Sequence, residues 1–187
     1  MWLSAHAIRP GVGAVGAKLL YPDGTIQHGG VTVGMGGVAG HPYLNKPRDD
    51  VGYFGHLKLV RNVTAVTGAC LLVRRQTFLD VGGLDETALA VALNDVDFCL
   101  RLVEAGYRNL WTPHAELYHF ESASRGSDLT GEKAARFRRE IAHMQQRWGD
   151  KLNHDPNWNP NLSLQTSEIA LAFPPRGAHG ENSNSVV

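Results

Sequence analysis

The hydrophobic positions fall into short buried runs and two amphipathic stretches. Val12 to Tyr21, with Val15, Ala17, Leu19 and Leu20, predicts a buried strand. Pro22-Asp23-Gly24 signals a turn. Thr25 to Val33 then returns as a second strand, so the pair predicts a hairpin or bent ribbon. Gly34 to Val51 is rich in Gly, Pro and Asp without a period, and reads as a loop long enough to be functional or mobile. Asn62 to Arg74 predicts a buried strand feeding a short helix over Gln76 to Val81, which Gly82-Gly83 breaks. A helix is predicted from Asp95 to Ala105, with Val96, Leu100 and Val103 on one face, Asn94 as N-cap and Gly106 as stop. Asn109 to Thr112, closed by Pro113, and Ala115 to His119 predict two short strands. Gly131 to Trp148 predicts a long helix whose stripe is Phe137, Ile141, Met144 and Trp148, with Arg136, Arg138, Arg139 and Glu140 placed elsewhere on it. Met1 to Ile8 reads as the end of a helix stopped by Pro10 and Gly11, and Asp155 to Leu164 as an extended arm that packs. Strands mixed with helices make this an α/β chain.

Composition narrows the partners. The 187 residues suit one domain with a tail, and a hydrophobic share of 43% is enough for a packed core. Lys+Arg and Asp+Glu are both 18, so the basic excess of a general nucleic-acid binder is missing and nucleic acid is not an expected partner. Cys70 and Cys99 each sit in an apolar run, which predicts two reduced core thiols rather than a disulfide or zinc framework. No apolar run approaches the roughly 20 residues needed to span a bilayer. The expected location is cytoplasmic, with a peripheral seat at the inner face of a membrane left open.

The chemistry gathers at two places. Asn94-Asp95-Val96-Asp97 puts two carboxylates in the first turn of a helix, where a general base is well fixed. The plain alternative is that both acids only complement the helix dipole. Asp95-Val96-Asp97 is also a literal Asp-x-Asp. On a helix, however, residues two apart point about 200° away from each other and chelate one ion badly. His119 closes a short strand and is a candidate metal or diphosphate contact, against the plain alternative of an ordinary histidine. Gly11, Gly13 and Gly16 spell Gly-x-Gly-x-x-Gly, but at the start of a strand rather than between strand and helix, so the dinucleotide reading is dismissed.

The order of the motifs carries a resemblance. Val12-Gly13-Ala14-Val15-Gly16-Ala17-Lys18-Leu19-Leu20-Tyr21-Pro22-Asp23-Gly24-Thr25-Ile26-Gln27 resembles a stretch that follows the metal motif in many family 2 glycosyltransferases, the rhamnosyltransferase-like and cell-surface polysaccharide members above all. Thr67-Gly68-Ala69-Cys70-Leu71-Leu72-Val73-Arg74-Arg75 resembles their acceptor-side strand, and Gly82-Gly83-Leu84-Asp85-Glu86 the turn after it. Asn94-Asp95-Val96-Asp97 resembles their Glu-Asp-x-Asp, with Asn94 in place of glutamate. Tyr118-His119-Phe120-Glu121-Ser122, with Ser124-Arg125-Gly126, resembles the segment whose histidine completes the metal site.

The resemblance implies a partial GT-A fold: the acceptor-side, C-terminal half over residues 1–165, with a mixed sheet and flanking helices. Residues 166–187 are expected to be a mostly disordered tail. It implies Asp95 as catalytic base, and Thr67, Gly68, Ala69, Asn94 and Asp97 on the acceptor side. It also implies His119 at the metal and Ser124 and Arg125 at the diphosphate. The donor would be a nucleoside-diphosphate sugar steadied by Mg²⁺ or Mn²⁺, and the acceptor a glycan or lipid-linked hydroxyl. The family's own Asp-x-Asp normally precedes the segment near Trp2. The expectation is therefore a truncated domain, inactive alone, with a further chain as one possible source of the nucleotide-binding half. Gln146-Arg147-Trp148 approaches the Gln-x-x-Arg-Trp signature of processive polymerases, with methionine at 144. Two other readings stand beside transfer: a non-catalytic glycan- or partner-binding remnant, and a metal-dependent hydrolase using Asp95, Asp97 and His119.

Overall fold

The computed structural model describes residues 2–120 and 131–176. Its axis is a pair of parallel strands, β1 (Val12–Leu20) and β7 (Arg108–Tyr118). Every residue of β1 is buried, as its largely apolar text requires of a central strand, and the one charged residue in it, Lys18, pairs with Glu116 at 3.2 Å. β2 (Ile26–His28) and β6 (Leu71–Leu72) pair antiparallel with successive halves of the same edge of β1, and β5 (Arg61–Val63) pairs antiparallel with β7. A small ribbon of β3 (Thr32–Val33) and β4 (Ala39–Gly40) stands apart. The predicted second strand is thus split, because the chain leaves β1 after His28. The predicted strand over 62–74 is split too, by a 3-10 turn at Gly68–Cys70.

The helices are α1 (Trp2–Ala7), α2 (Arg75–Asp80), α3 (Asn94–Glu104) and α4 (Gly131–Trp148). α3 buries Val96, Phe98, Cys99, Leu100 and Leu102, leaving Val103 partly exposed. These residues join Trp111 of β7 and Met144 and Trp148 of α4 in one core. Among the described residues no helix is long and apolar enough to cross a membrane.

The two predicted strands over 109–119 are one strand with a bulge. Register with β1 passes from Ala17↔Thr112 to Lys18↔Glu116, so Pro113, His114 and Ala115 go unmatched. Pro113 has no N–H for the ladder, and the bulge accommodates it. A second irregularity lies where β1 runs from Val12 to Val15 while β7 runs from Arg108 to Leu110. Here the buried Asn109 replaces the missing ladder bonds. Its Oδ1 accepts from Ala14 N–H at 3.0 Å, and its Nδ2 donates to the carbonyls of Thr64 and Cys99 at 2.9 and 3.0 Å. A Cβ at Gly13 would come within 2.9 Å of Asn109 Oδ1, which gives that glycine a packing reason.

The arm after α4 does pack. Trp158 and Leu162 are buried against Met35. The buried Asp155 accepts from Val33 N–H at 2.8 Å and from Thr64 Oγ1 at 2.5 Å. Burial raises its carboxyl above the ordinary value, against the hydrogen bonds from Thr64, Asn157 and Val33 that lower it. Within 166–187, residues 166–176 are tied to this arm: Ser163 N–H donates to Ala170 O, and Arg176 to the carbonyls of Leu162, Asn153 and Asn159.

Candidate functional site

The resembling segments meet at one end of the parallel pair. β6 runs against β1 with Leu71 opposite Gly16, so the preceding turn, Thr67 to Cys70, lies toward the carboxyl end of β1. Tyr118 pairs with Leu20, and His119 N–H donates to Leu20 O at 2.9 Å, at the same end. Carboxyl ends of parallel strands are where open α/β sheets keep their ligands.

Thr67 caps the 3-10 turn, its Oγ1 accepting from Ala69 N–H at 3.3 Å. Gly68 and Ala69 are exposed, as an acceptor surface would have to be. Asp95 is half-buried in the first turn of α3. Its Oδ2 accepts from Gly68 N–H at 2.7 Å and its Oδ1 from Val96 N–H at 2.8 Å. The carboxylate is therefore fixed from both sides and joins the two segments.

Asn94 is not the cap. Leu93 holds that place at φ 63° with no side-chain cap, and Asn94 is the first helical residue. A leucine in the left-handed region is strained and needs support. Its side chain packs on the core, and its carbonyl accepts from Asp97 N–H at 2.9 Å. Glu140 supplies the rest, each carboxylate oxygen accepting a 3.1 Å bond, from Val91 N–H and Ala92 N–H. Glu140 is buried, contrary to its predicted place off the stripe of α4.

Asp97 points the other way and is wholly buried. Its Oδ2 accepts from Arg101 Nε at 2.8 Å, and its Oδ1 from Trp148 Nε1 at 3.0 Å, with Arg147 Nη1 at 3.3 Å. Arg101 donates onward to the carbonyls of Val81 and Gly83. Asp97 thereby locks α3, α4 and the Gly82-Gly83 turn, and offers no face to an acceptor. The near-match at 146–148 has its explanation here: Arg147 and Trp148 close on Asp97. An open, polar crevice of about 440 Å³ lies beside this lock, lined by residues that include Asp85, Thr87, Arg101 and Arg147.

His119 is half-buried, and its Nδ1 lies 2.8 Å from Gln27 Oε1. Gln27 ends the resembling stretch over 12–27, and its type and spacing give it no role by sequence. One imidazole fits one position of a divalent ion's shell. Among the described residues no three His, Cys, Asp or Glu side chains gather into a metal-holding group. Asp95, Asp97 and His119 therefore do not form the set a hydrolase would need. Ser124 and Arg125 lie outside the described residues. Cys70 and Cys99 are both free thiols, and burial pushes the Cys99 thiol up to about 12.

No family model matches the chain. It is 56% identical over 176 residues to the uncharacterized protein y4gI of Sinorhizobium fredii, covering 92% of this chain and 19% of that protein. It is 43% identical over 170 residues to the O-antigen biosynthesis protein RfbC of Myxococcus xanthus, covering 90% and 13% respectively. It is 33% identical over 140 residues to an N-acetylglucosaminyl-diphospho-decaprenol L-rhamnosyltransferase of Mycobacterium tuberculosis, covering 71% and 45%. The chain spans less than half the length of each of these relatives. What it resembles is a group of glycosyltransferase-like proteins of polysaccharide biosynthesis.

Proposed function

We propose that the chain is the acceptor-side part of a GT-A type glycosyltransferase, moving a sugar from a nucleoside-diphosphate sugar to a hydroxyl with inversion. The observation that carries this reading is Asp95. Its carboxylate is held by Gly68 N–H at the exposed turn that resembles the family's acceptor strand. A base so placed can take the proton of an attacking hydroxyl resting on Thr67, Gly68 and Ala69. The relatives' names support the substrate class: a glycan or lipid-linked acceptor in cell-surface polysaccharide synthesis. Asn94 stands beside the base, whereas Asp97 is assigned to holding α3 in place and not to touching the acceptor.

His119 would supply one ligand to Mg²⁺ or Mn²⁺, and Ser124 and Arg125 would face the diphosphate. When bound, the ion would steady charge on the leaving diphosphate. The nucleotide and the remaining ligands are assigned to the greater length that the relatives possess. By the same reading the domain works in the cytoplasm, against the inner face of the membrane where a lipid-linked acceptor lies. A non-catalytic glycan- or partner-binding remnant is the second reading, favoured by the absence of a metal-holding group among the described residues.

The test is sugar transfer to a membrane acceptor by the longest natural protein that contains this sequence. Asp95→Asn should lower turnover by about 10² to 10⁴-fold. Undiminished turnover in that variant would overturn the assignment, and no turnover by the parent protein would favour the remnant.

A further inference from the structure

His119 does not approach its site as a free imidazole. Gln27 sits on β2 and His119 follows the end of β7, with β1 between them, so the two side chains meet at the end of β1. Gln27 is buried. It grips the histidine at two points: Oε1 lies 2.8 Å from the ring Nδ1, and Nε2 donates to the His119 carbonyl at 3.4 Å. The second contact fixes the direction of the first. Turning the amide over would press Oε1 against the His119 carbonyl, two acceptors facing each other. An amide oxygen only accepts, so Nδ1 must carry the hydrogen. In the neutral ring Nε2 is then left with a bare lone pair, the form that binds a metal.

We propose that Gln27 is the positioning residue of His119, holding its ring in the Nδ1–H tautomer and presenting Nε2 as the ligand atom. The proposal rests on the reading of His119 as a metal contact. Gln27 touches neither sugar nor metal in this account and acts only through the histidine. The same two bonds explain why a glutamine stands on the buried edge of a three-residue strand, where an apolar residue would otherwise pack.

The experiment is ¹⁵N NMR of the His119 ring in the chain at about pH 8.5, where an ordinary imidazole is neutral. Wild type should show Nδ1 protonated and Nε2 bare. Gln27→Leu should move the ring toward the Nε2–H form. A wild-type ring that is mainly Nε2–H overturns the proposal even if the leucine variant fails to fold. Titration with Mn²⁺ alone, in the longest natural protein containing this sequence so that the remaining ligands are present, then separates the two readings. Line broadening of the His119 ring should need about 10- to 100-fold more Mn²⁺ in Gln27→Leu than in wild type. Equal Mn²⁺ response in both variants overturns the positioning role. No response in wild type, with the Nδ1–H tautomer present, overturns the metal reading while leaving the tautomer assignment standing.

Discussion

Asp95 and Asp97 are the same residue type, two positions apart in one helical turn, and the fold gives them opposite duties. Asp95 is half-buried and, among the described residues, bound by main-chain N–H groups at the edge of an exposed turn. Asp97 has no exposed surface and is bound by Arg101 and Trp148. Helical geometry separates them by about 200°, so a motif that reads as a pair becomes one outward and one inward carboxylate. An acid in a recognised motif is thus not a site residue until its face is known. β2 repeats the lesson at period two. Adjacent Gln27 and His28 turn to opposite sides, one to His119 and the other to His41.

The sharpest way to break this comparison is to truncate the inner acid. Asp97→Ala strands a buried guanidinium and an indole N–H, and should cost about 3–5 kcal/mol in urea unfolding. Asp95→Ala should cost only about 1–2 kcal/mol, because one of its two abandoned donors, Gly68 N–H, lies on an exposed turn where water can replace the carboxylate. Equal losses would mean that both acids are structural. Next in size is Glu140→Ala, which removes the support from Val91, Ala92 and the strained Leu93. It should cost about 1.5–3 kcal/mol and speed hydrogen exchange at those two amides, and unchanged exchange would detach α4 from the entry to α3.

A pH series extends the comparison to the strands. Burial, then the His41 and Arg61 charges, hold the His28 imidazole well below its ordinary value. The unfolded chain takes up a proton that the folded chain refuses, so this stability is complete above about pH 6.5 and is lost as pH falls. The slope should approach about 1.4 kcal/mol per pH unit from His28. His56, whose value is also lowered by burial and Arg61, adds a smaller part. His28→Gln should flatten most of it, and an unchanged slope would assign the acid sensitivity elsewhere. The smallest effect belongs to the outer face. A Cβ at Gly68 would meet Asp95 Cβ at an ordinary 3.5 Å, so Gly68→Ala should leave stability within about 0.5 kcal/mol while weakening acceptor binding. A larger loss of stability would show that the turn is not free on its outer side.

Much of the fold was legible from local pattern. β1 and α4 match their predicted spans closely because one is largely apolar and the other amphipathic. The splitting of the other strands was not legible. It depends on where β1 offers partners and on a bulge at Pro113, both set by the tertiary register. Asp95, Gly68 and His119 stood out by motif. Glu140, Arg101 and Gln27 did not, since a buried polar residue announces itself only through partners 49, 20 and 92 positions away. Local pattern makes Asn94 the cap, whereas Leu93, a residue that propensity excludes from φ 63°, holds that place under tertiary constraint.

The central claim is that the two carboxylates of Asn94-Asp95-Val96-Asp97 divide chemistry from support. The most direct test is to compare Asp95→Asn and Asp97→Asn in the longest natural protein containing this sequence, measuring thermal melting and sugar transfer together. The account predicts that Asp95→Asn keeps its melting temperature within a few degrees and loses turnover by about 10²-fold or more, while Asp97→Asn lowers melting first. An Asp95→Asn protein that transfers sugar at the parent rate would contradict it.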